Sequence, residues 1–308
     1  MKTTYYPIIV FTYNRPNLLI NLLKSIKKNA DYNKHKYYFF CDGPKNNSNK
    51  GQLKKISENI SIIKKFKILR KNLIIRKKNY GLANNVIQGV SQVLKKNDAC
   101  IVFEDDLVLH NDCIKFINFG LNKFKKDNSI GSISGYSYVD GFHYRKKQDW
   151  FKLHRHCSWS WGTWSSVWNK MNWDFGNLPS VKINSQTKQK KFLKAGHDIP
   201  LLLNAHIYKL IDSWAVRFNY NCLEKGLFSI SPLNSLIKNE GFGVNATHTL
   251  NFLSKKKIYF NKFTNIKIKK LKKPFLDKEL NMKIKLEHKF SIKLFLKIFV
   301  FKFFKSFF

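Results

Sequence analysis

Three consecutive carboxylates, Glu104, Asp105 and Asp106, follow directly on the apolar run Ala99-Cys-Ile-Val-Phe103. Adjacent acids repel one another, and nothing in a fold needs them there. A hard divalent cation, together with ribose or sugar hydroxyls, would satisfy them, because such cations take oxygen ligands. The plainer alternative is a solvated acidic turn that caps the next helix, with Asp112 as a second cap. Another acid, Asp212, opens Asp212-Ser-Trp-Ala-Val-Arg217, which holds the one tryptophan outside a cluster of six between Trp150 and Trp173. Asp212 reads either as an acid presented at a site or as a helix N-cap. The centre of the cluster, Cys157-Ser-Trp-Ser-Trp-Gly-Thr-Trp164, has the spacing of a half-buried strand or loop packed on a core, and equally of a stacking platform for the flat face of a sugar. His248 closes a Gly-rich stretch, Asn239-Glu-Gly-Phe-Gly-Val-Asn-Ala-Thr-His248, able to approach a ligand closely, although a lone loop histidine is more often a surface residue.

These residues need elements to position them. Ile8-Ile-Val-Phe11, Tyr37-Tyr-Phe-Phe-Cys41, Leu73-Ile-Ile75 and the run into Glu104 are short apolar strands. Between them, Leu18, Leu19, Leu22, Leu23 and Ile26 recur at helical spacing, a lysine-rich helix spans about Leu53 to Phe66, and Leu82, Val86, Val90, Val93 and Leu94 mark a third helix. A fourth carries Cys113, Phe116, Ile117, Leu121 and Phe124. Strand–helix alternation with short links predicts an α/β fold with a mostly parallel sheet flanked by helices. The strands end in Asn14-Arg15, Asp42, Arg76 and Glu104 to Asp106, which right-handed crossovers bring to one edge of the sheet. No G-x-G-x-x-G follows the first strand and no P-loop occurs, which argues against dinucleotide binding. Residues 181–205 read as a polar helix or linker.

The chain has 308 residues, 44% hydrophobic and 15% aromatic, which is globular and able to bury a substantial core. Its 57 Lys and Arg against 19 Asp and Glu give a net charge of +38. Only six of the cations are arginines, and the lysines are dispersed, whereas nucleic-acid readers lean on Arg for bidentate and stacking contacts. The charge therefore points to an anionic surface and away from nucleic acid. Five widely spaced cysteines without a C-x-x-C pair read as reduced thiols of a cytosolic protein. The first residues lack the apolar core of a signal peptide, and no uncharged run is long enough to span a bilayer. Beyond Leu253 the chain turns heavily basic. Over Lys289 to Phe308, a helix would gather Ile292, Phe295, Leu296, Phe299 and Phe303 on one lysine-free face, with Lys289, Lys293 and Lys297 on another. That pattern suits an interfacial helix on anionic lipid, or one that docks on a protein surface.

Taken together, residues Ile8 to His248 resemble the GT-A fold nucleotide-sugar glycosyltransferases, in particular the inverting N-acetylglucosaminyltransferase I type and bacterial family-2-like sugar transferases. Val102-Phe-Glu-Asp-Asp-Leu107 looks like the E-D-D-L variant of their D-x-D motif. The resemblance implies that Asp106 holds Mn2+ (or Mg2+) bridging a donor diphosphate, with His248 as a second metal ligand, and that Glu104 and Asp105 contact sugar and ribose hydroxyls. Phe11-Thr-Tyr-Asn-Arg15 is similar to the family's first strand–helix turn, which assigns Thr12, Asn14 and Arg15 to the donor. Asp42 matches the acid that reads uracil, and Asn79-Tyr-Gly81 the segment that closes over the base. Asp212-Ser-Trp214 looks like the acid-x-Trp segment that carries the catalytic base, and Trp161-Gly-Thr-Trp164 like a signature of the bacterial members; Trp161, Trp164 and Trp214 are thereby expected to bind acceptor. The resemblance implies a GT-A domain over residues 1–250, with a nucleotide-binding half (1–128) and an acceptor half (129–250), followed by a basic tail (251–308). It implies a metal-dependent inverting transfer from a UDP-sugar, GlcNAc among the candidates, to a glycan or lipid-linked acceptor of bacterial surface polysaccharide. The expected place is cytoplasmic, peripheral at the inner face of the plasma membrane, with an anionic membrane surface as partner of the tail. The competing expectation is an inactive sugar- or membrane-binding protein on the same fold.

Overall fold

The computed structural model describes residues 3–138, 149–174, 186–241, 273–289 and 291–305. In chain order it forms β1 (Ile8–Thr12), α1 (Pro16–Lys27), β2 (Tyr37–Cys41), α2 (Lys50–Lys65), β3 (Lys71–Ile75), α3 (Leu82–Leu94), β4 (Ala99–Glu104), β5 (Leu107–Leu109) and α4 (Cys113–Phe124). It continues through β6 (Ile130–Ser134), β7 (Trp150–Leu153), β8 (Trp161–Trp164), α5 (Ser165–Trp168), α6 (Gln186–Phe192), α7 (Ile199–Ile207), α8 (Trp214–Glu224), β9 (Phe228–Pro232) and β10 (Ile237–Asn239). Two helices, α9 (Lys278–Glu287) and α10 (Ile292–Lys305), follow.

Period-two alternation in the central strands gives each face of the sheet its own core. Ile8 and Val10 join Phe39, Ile101 and Phe103 on one face. Ile9 and Phe11 join Phe40, Cys100 and Val102 on the other. Burying one such side chain contributes about 1.5–3 kcal/mol, so strands apolar on both faces must lie between two helical layers. The helices start and stop as their termini dictate. Pro16, with no amide hydrogen to satisfy, occupies the first position of α1, and Asn49 forms a reciprocal capping box with Gln52 at the start of α2.

Eight strands lie in the order β3-β2-β1-β4-β8-β6-β9-β7. The run β3, β2, β1, β4 is parallel, as the sequence predicts. β8 runs antiparallel between β4 and β6, setting Trp161 opposite Val102 and Trp164 opposite Ala99. β9 is parallel to β6, and β7 is antiparallel to β9 at the far edge. This is the mostly parallel, helix-flanked α/β architecture of the GT-A fold, and its sheet passes through both expected halves. A separate ribbon pairs β5 with β10, and it carries the chain from Asn239 back to the end of β4.

One buried residue ties stability to pH. His156 is buried, with Nδ1 2.8 Å from Ser132 Oγ and its backbone N–H donating to Asn219 Oδ1. Burial lowers its pKa to about 4. An unfolded histidine titrates near about 6.5, so between those values the unfolded state binds the extra proton, and stability that is full above the window drains away as pH falls through it. The expected loss is about 3 kcal/mol across the window. Urea midpoints measured from about pH 7 to about pH 4.5 check this, and His156→Gln is expected to flatten the dependence.

Candidate functional site

Register places the site. Phe11 of β1 stands opposite Glu104 of β4, so the residues after β1 face the turn that joins β4 to β5. Thr12 Oγ1 donates to Asp105 Oδ2 at 2.8 Å, and the Tyr13 amide donates to the same oxygen at 3.3 Å. Asn59, buried on α2, donates from Nδ2 to Thr12 Oγ1 at 2.6 Å and fixes that hydroxyl. Arg15 bridges the two aspartates: one terminal nitrogen pairs with Asp105 Oδ1, and Nη1 donates to Asp106 Oδ2 at 3.1 Å. Asn14, next to Arg15 in the chain, is half-buried.

The two aspartates differ in access. The Asp105 side chain is 2% exposed and both of its oxygens are engaged, whereas that of Asp106 is 13% exposed. Asp105 therefore holds Thr12, Tyr13 and Arg15 in place and is not open to a sugar hydroxyl, which corrects its expected role as a donor contact. Asp106 is the carboxylate a ligand can reach. Glu104, half-buried, accepts a hydrogen bond from the Trp214 side chain. Burial, with the Asp106 charge second, pushes its carboxyl well above the usual range, and burial likewise raises Asp106 in spite of Arg15. Three carboxyls around one guanidinium form a site that gains by receiving positive charge.

The ribbon of β5 and β10 closes this edge. The Glu240 amide donates to the Asp106 carbonyl at 2.8 Å, and the Gly241 amide to Asn239 Oδ1 at 2.7 Å. A Cβ built on Gly241 would collide with the Asp106 carboxylate, so only glycine allows this approach. The donor set is hard oxygen, fitting Mg2+ or Mn2+, and no group of three His, Cys, Asp or Glu among the described residues is arranged to hold a metal alone. Asp106 would supply one ligand; such ions commonly take the remainder from substrate phosphates and water. His248, the other expected metal ligand, and residues 242–247 of its loop lie outside the described residues. Gly241→Val is expected to displace the Asp106 carboxylate and to cost roughly 10²-fold in donor turnover, as misplacements of about 1 Å do; parallel urea titrations check that the fold survives.

A second cluster forms where β2 ends. Asp42 Oδ1 accepts from the Tyr80 amide at 2.8 Å and the Gly43 amide at 2.9 Å, while Oδ2 accepts from Asn79 Nδ2 at 3.1 Å. Gly81, at φ +73°, lets the chain turn into α3 at this point, a conformation that suits glycine. Thus Asp42, Asn79 and Gly81 are brought together, one strand over from Arg15. Arg76, expected from the sequence at this edge but given no role there, and Tyr80 belong to the same cluster. The Arg76 guanidinium lies 4.6 Å from the Tyr80 ring centre and 5.3 Å from that of Phe40, and its buried Nη2 has no hydrogen-bond partner among the described residues. The signal was a strand ending in arginine with an aromatic four residues on.

On the opposite flank, Ser213 caps α8, accepting from the Val216 amide at 3.3 Å, so Asp212 is not the cap. Asp212 is 51% exposed and accepts from Arg217 Nη2 at 2.6 Å; Arg217 also donates to His206 Nε2 and to the Trp173 carbonyl. The Trp214 side chain, two residues on, reaches Glu104. The expected acceptor platform is corrected here. Trp161 is 1% exposed, stacked on Trp214 with ring centres 4.7 Å apart and on Trp168 at 5.7 Å. Trp164 points to the other face of β8, buried, with its indole N–H on the Leu121 carbonyl. Because β8 is an interior strand covered on both sides, these rings are core and have no free face for a sugar, and Trp214 is buried with them. Trp173, half-buried beside Arg217, keeps partial exposure and was hidden in the sequence by its five neighbours.

Residues 8–185 match the model of glycosyl transferase family 2, a span that holds β1 through β8 and the whole acidic edge. The chain belongs to glycosyl transferase family 2. No curated protein matches its sequence. Among solved structures it is similar to the mannosyltransferase PcManGT from Pyrobaculum calidifontis, solved with GDP-Man and Mn2+, at 13% identity over 72% of this chain and 70% of that one, with a TM-score of 0.39. It is also similar to S. aureus TarS, at 11% identity and a TM-score of 0.36, covering 53% of this chain and 29% of that one. Family membership and the fold make this a glycosyltransferase, and no helix among the described residues is long and apolar enough to cross a membrane.

Proposed function

We propose that this family member is a metal-dependent, inverting transferase that moves a sugar from a UDP-sugar, with N-acetylglucosamine the first to test, to a glycan or lipid-linked acceptor of bacterial surface polysaccharide. The observation that carries the reading is the Asp105–Asp106 edge, where a buried aspartate and Arg15 hold a second, reachable carboxylate against Gly241. When bound there, a divalent cation would supply neutralisation of the charge that develops on the departing diphosphate. Asp106 is its proposed ligand, consistent with the surplus of acids over arginine.

In this reading Asp42, Asn79 and Gly81 receive the base, and Thr12, Asn14 and Arg15 border the donor. Arg15 would turn from the aspartates towards the diphosphate as the donor enters, exchanging carboxylate for phosphate partners of the same geometry. Asp212 takes the acceptor hydroxyl proton during in-line attack, giving inversion without a covalent intermediate. Its Oδ1 is held by Arg217, which orients the carboxylate and leaves Oδ2 for the proton. A hydroxyl with a pKa far above 7 requires such a base. Trp173 is the proposed aromatic face for the acceptor. Five cysteines, all buried and free, agree with a reducing, cytoplasmic setting.

The reading is tested by incubating the protein with a panel of nucleotide sugars, Mn2+ and lipid-linked or oligosaccharide acceptors, and measuring nucleoside diphosphate release with the anomeric configuration of the product. Release that needs both metal and acceptor, with inversion, is expected. Tight donor binding without release on any acceptor would favour the sugar-binding protein on the same fold.

A further inference from the structure

From residue 251 to the end the chain holds 17 lysines, no arginine and only three acids, Asp277, Glu279 and Glu287. The described part of this stretch is anchored to the domain. Leu280 and Ile284 of α9 are buried against Phe151 and Leu153 of β7. Ile298 of α10 is buried against Leu201 and Ala205 of α7, with Leu294 packed beside it.

That contact uses one side of α10. On the other, Ile292, Phe295, Leu296, Phe299 and Val300 are 70%, 45%, 53%, 59% and 50% exposed. They stand at i, i+3, i+4, i+7 and i+8, the spacing of one continuous helical stripe. Lys289, just before the helix, and Lys297, within it, are exposed beside the stripe. Among the described residues, the only exposed large apolar side chains before residue 274 are Leu53, Leu69, Ile75 and Leu82, scattered over the domain. Water-facing apolar surface is thus concentrated in the most basic part of the chain.

The occupant of the stripe must bury hydrocarbon and tolerate, or welcome, dense positive charge. A second copy of this chain would bring another +38 against the same lysines. A bilayer rich in anionic lipid meets both demands, since its acyl boundary takes the stripe and its phosphates take the lysines. We infer that α10 lies in the plane of an anionic membrane surface, with Ile292, Phe295, Leu296, Phe299 and Val300 seated at the headgroup–acyl boundary while Ile298 keeps it fixed to the domain. This goes beyond the transferase reading and does not depend on it.

The test is flotation of the full chain with phosphatidylcholine vesicles, and with vesicles in which one third of the lipid is phosphatidylglycerol. Retention on the anionic vesicles should be about tenfold or more above that on neutral ones, and should weaken in high salt. The pair Leu296→Glu and Phe299→Glu, on the outward stripe, should abolish retention while the thermal melt stays unchanged. Equal retention on both lipids, no retention on either, or an unaffected double variant would overturn the inference. So would a chain that ignores vesicles and sediments as a dimer that the double variant dissociates.

Discussion

Asp106→Ala is expected to abolish metal-dependent binding of UDP and to lower sugar transfer on the order of 10³-fold, the scale on which removal of a single electrostatic stabiliser of a leaving oxyanion acts. Asp106 is the one member of the acidic edge with both a reachable carboxylate and a backbone held by the β5–β10 ribbon. Its neighbours cannot substitute. Asp105 is engaged by Thr12, Tyr13 and Arg15, and Glu104 is held by Trp214. Calorimetry with UDP and Mn2+ separates the loss of binding from a loss of fold, which the unfolding midpoint reports. The conservative Asp106→Asn keeps the shape and removes the charge, and is expected to behave like alanine, because in the proposed site the charge is what would draw the cation.

Asp212→Asn is expected to act differently. Turnover should fall by about 10²–10⁴-fold, the usual worth of a positioned general base, while the affinities for UDP-sugar and metal stay within about twofold. Asparagine can still accept from Arg217 Nη2, so the pairing with that guanidinium survives and only the proposed proton acceptor is lost. Steady-state kinetics with kcat and KM separated, alongside donor titration, checks the split. An unchanged kcat would remove Asp212 from the chemistry and leave it as Arg217's surface partner.

Much of the first half was legible because its interactions are local. Apolar strands of five residues, helices with stripes at 3.6-residue spacing and short links predict a parallel sheet, and β1 to β4 follow that plan. The convergence of Arg15, Asp42 and the acidic run on one edge followed from parallel strands alone. Other features depend on pairing across distance. β8 enters the sheet antiparallel between β4 and β6, and its only local trace is Trp161 and Trp164, which read equally well as a ligand platform. Once that strand is interior, the same aromatic residues become core. Arg15's grip on both aspartates, and Gly241's approach to Asp106, likewise join residues from separate parts of the chain. No spacing rule within one segment predicts such contacts. In the tail the apolar stripe was readable by periodicity, but Ile298 was not, because the surface it docks on is built by α7.

The most direct test of the central claim is thermal unfolding of the purified chain with UDP and UDP-sugars, in Mn2+ and in EDTA. A ligand that binds only the folded state raises the midpoint by mass action. The account predicts a rise with UDP and at least one UDP-sugar in Mn2+, lost in EDTA and lost in Asp106→Ala. A midpoint that no nucleotide moves, or a rise that Asp106→Ala retains in full, would contradict a metal-assisted donor site at this edge.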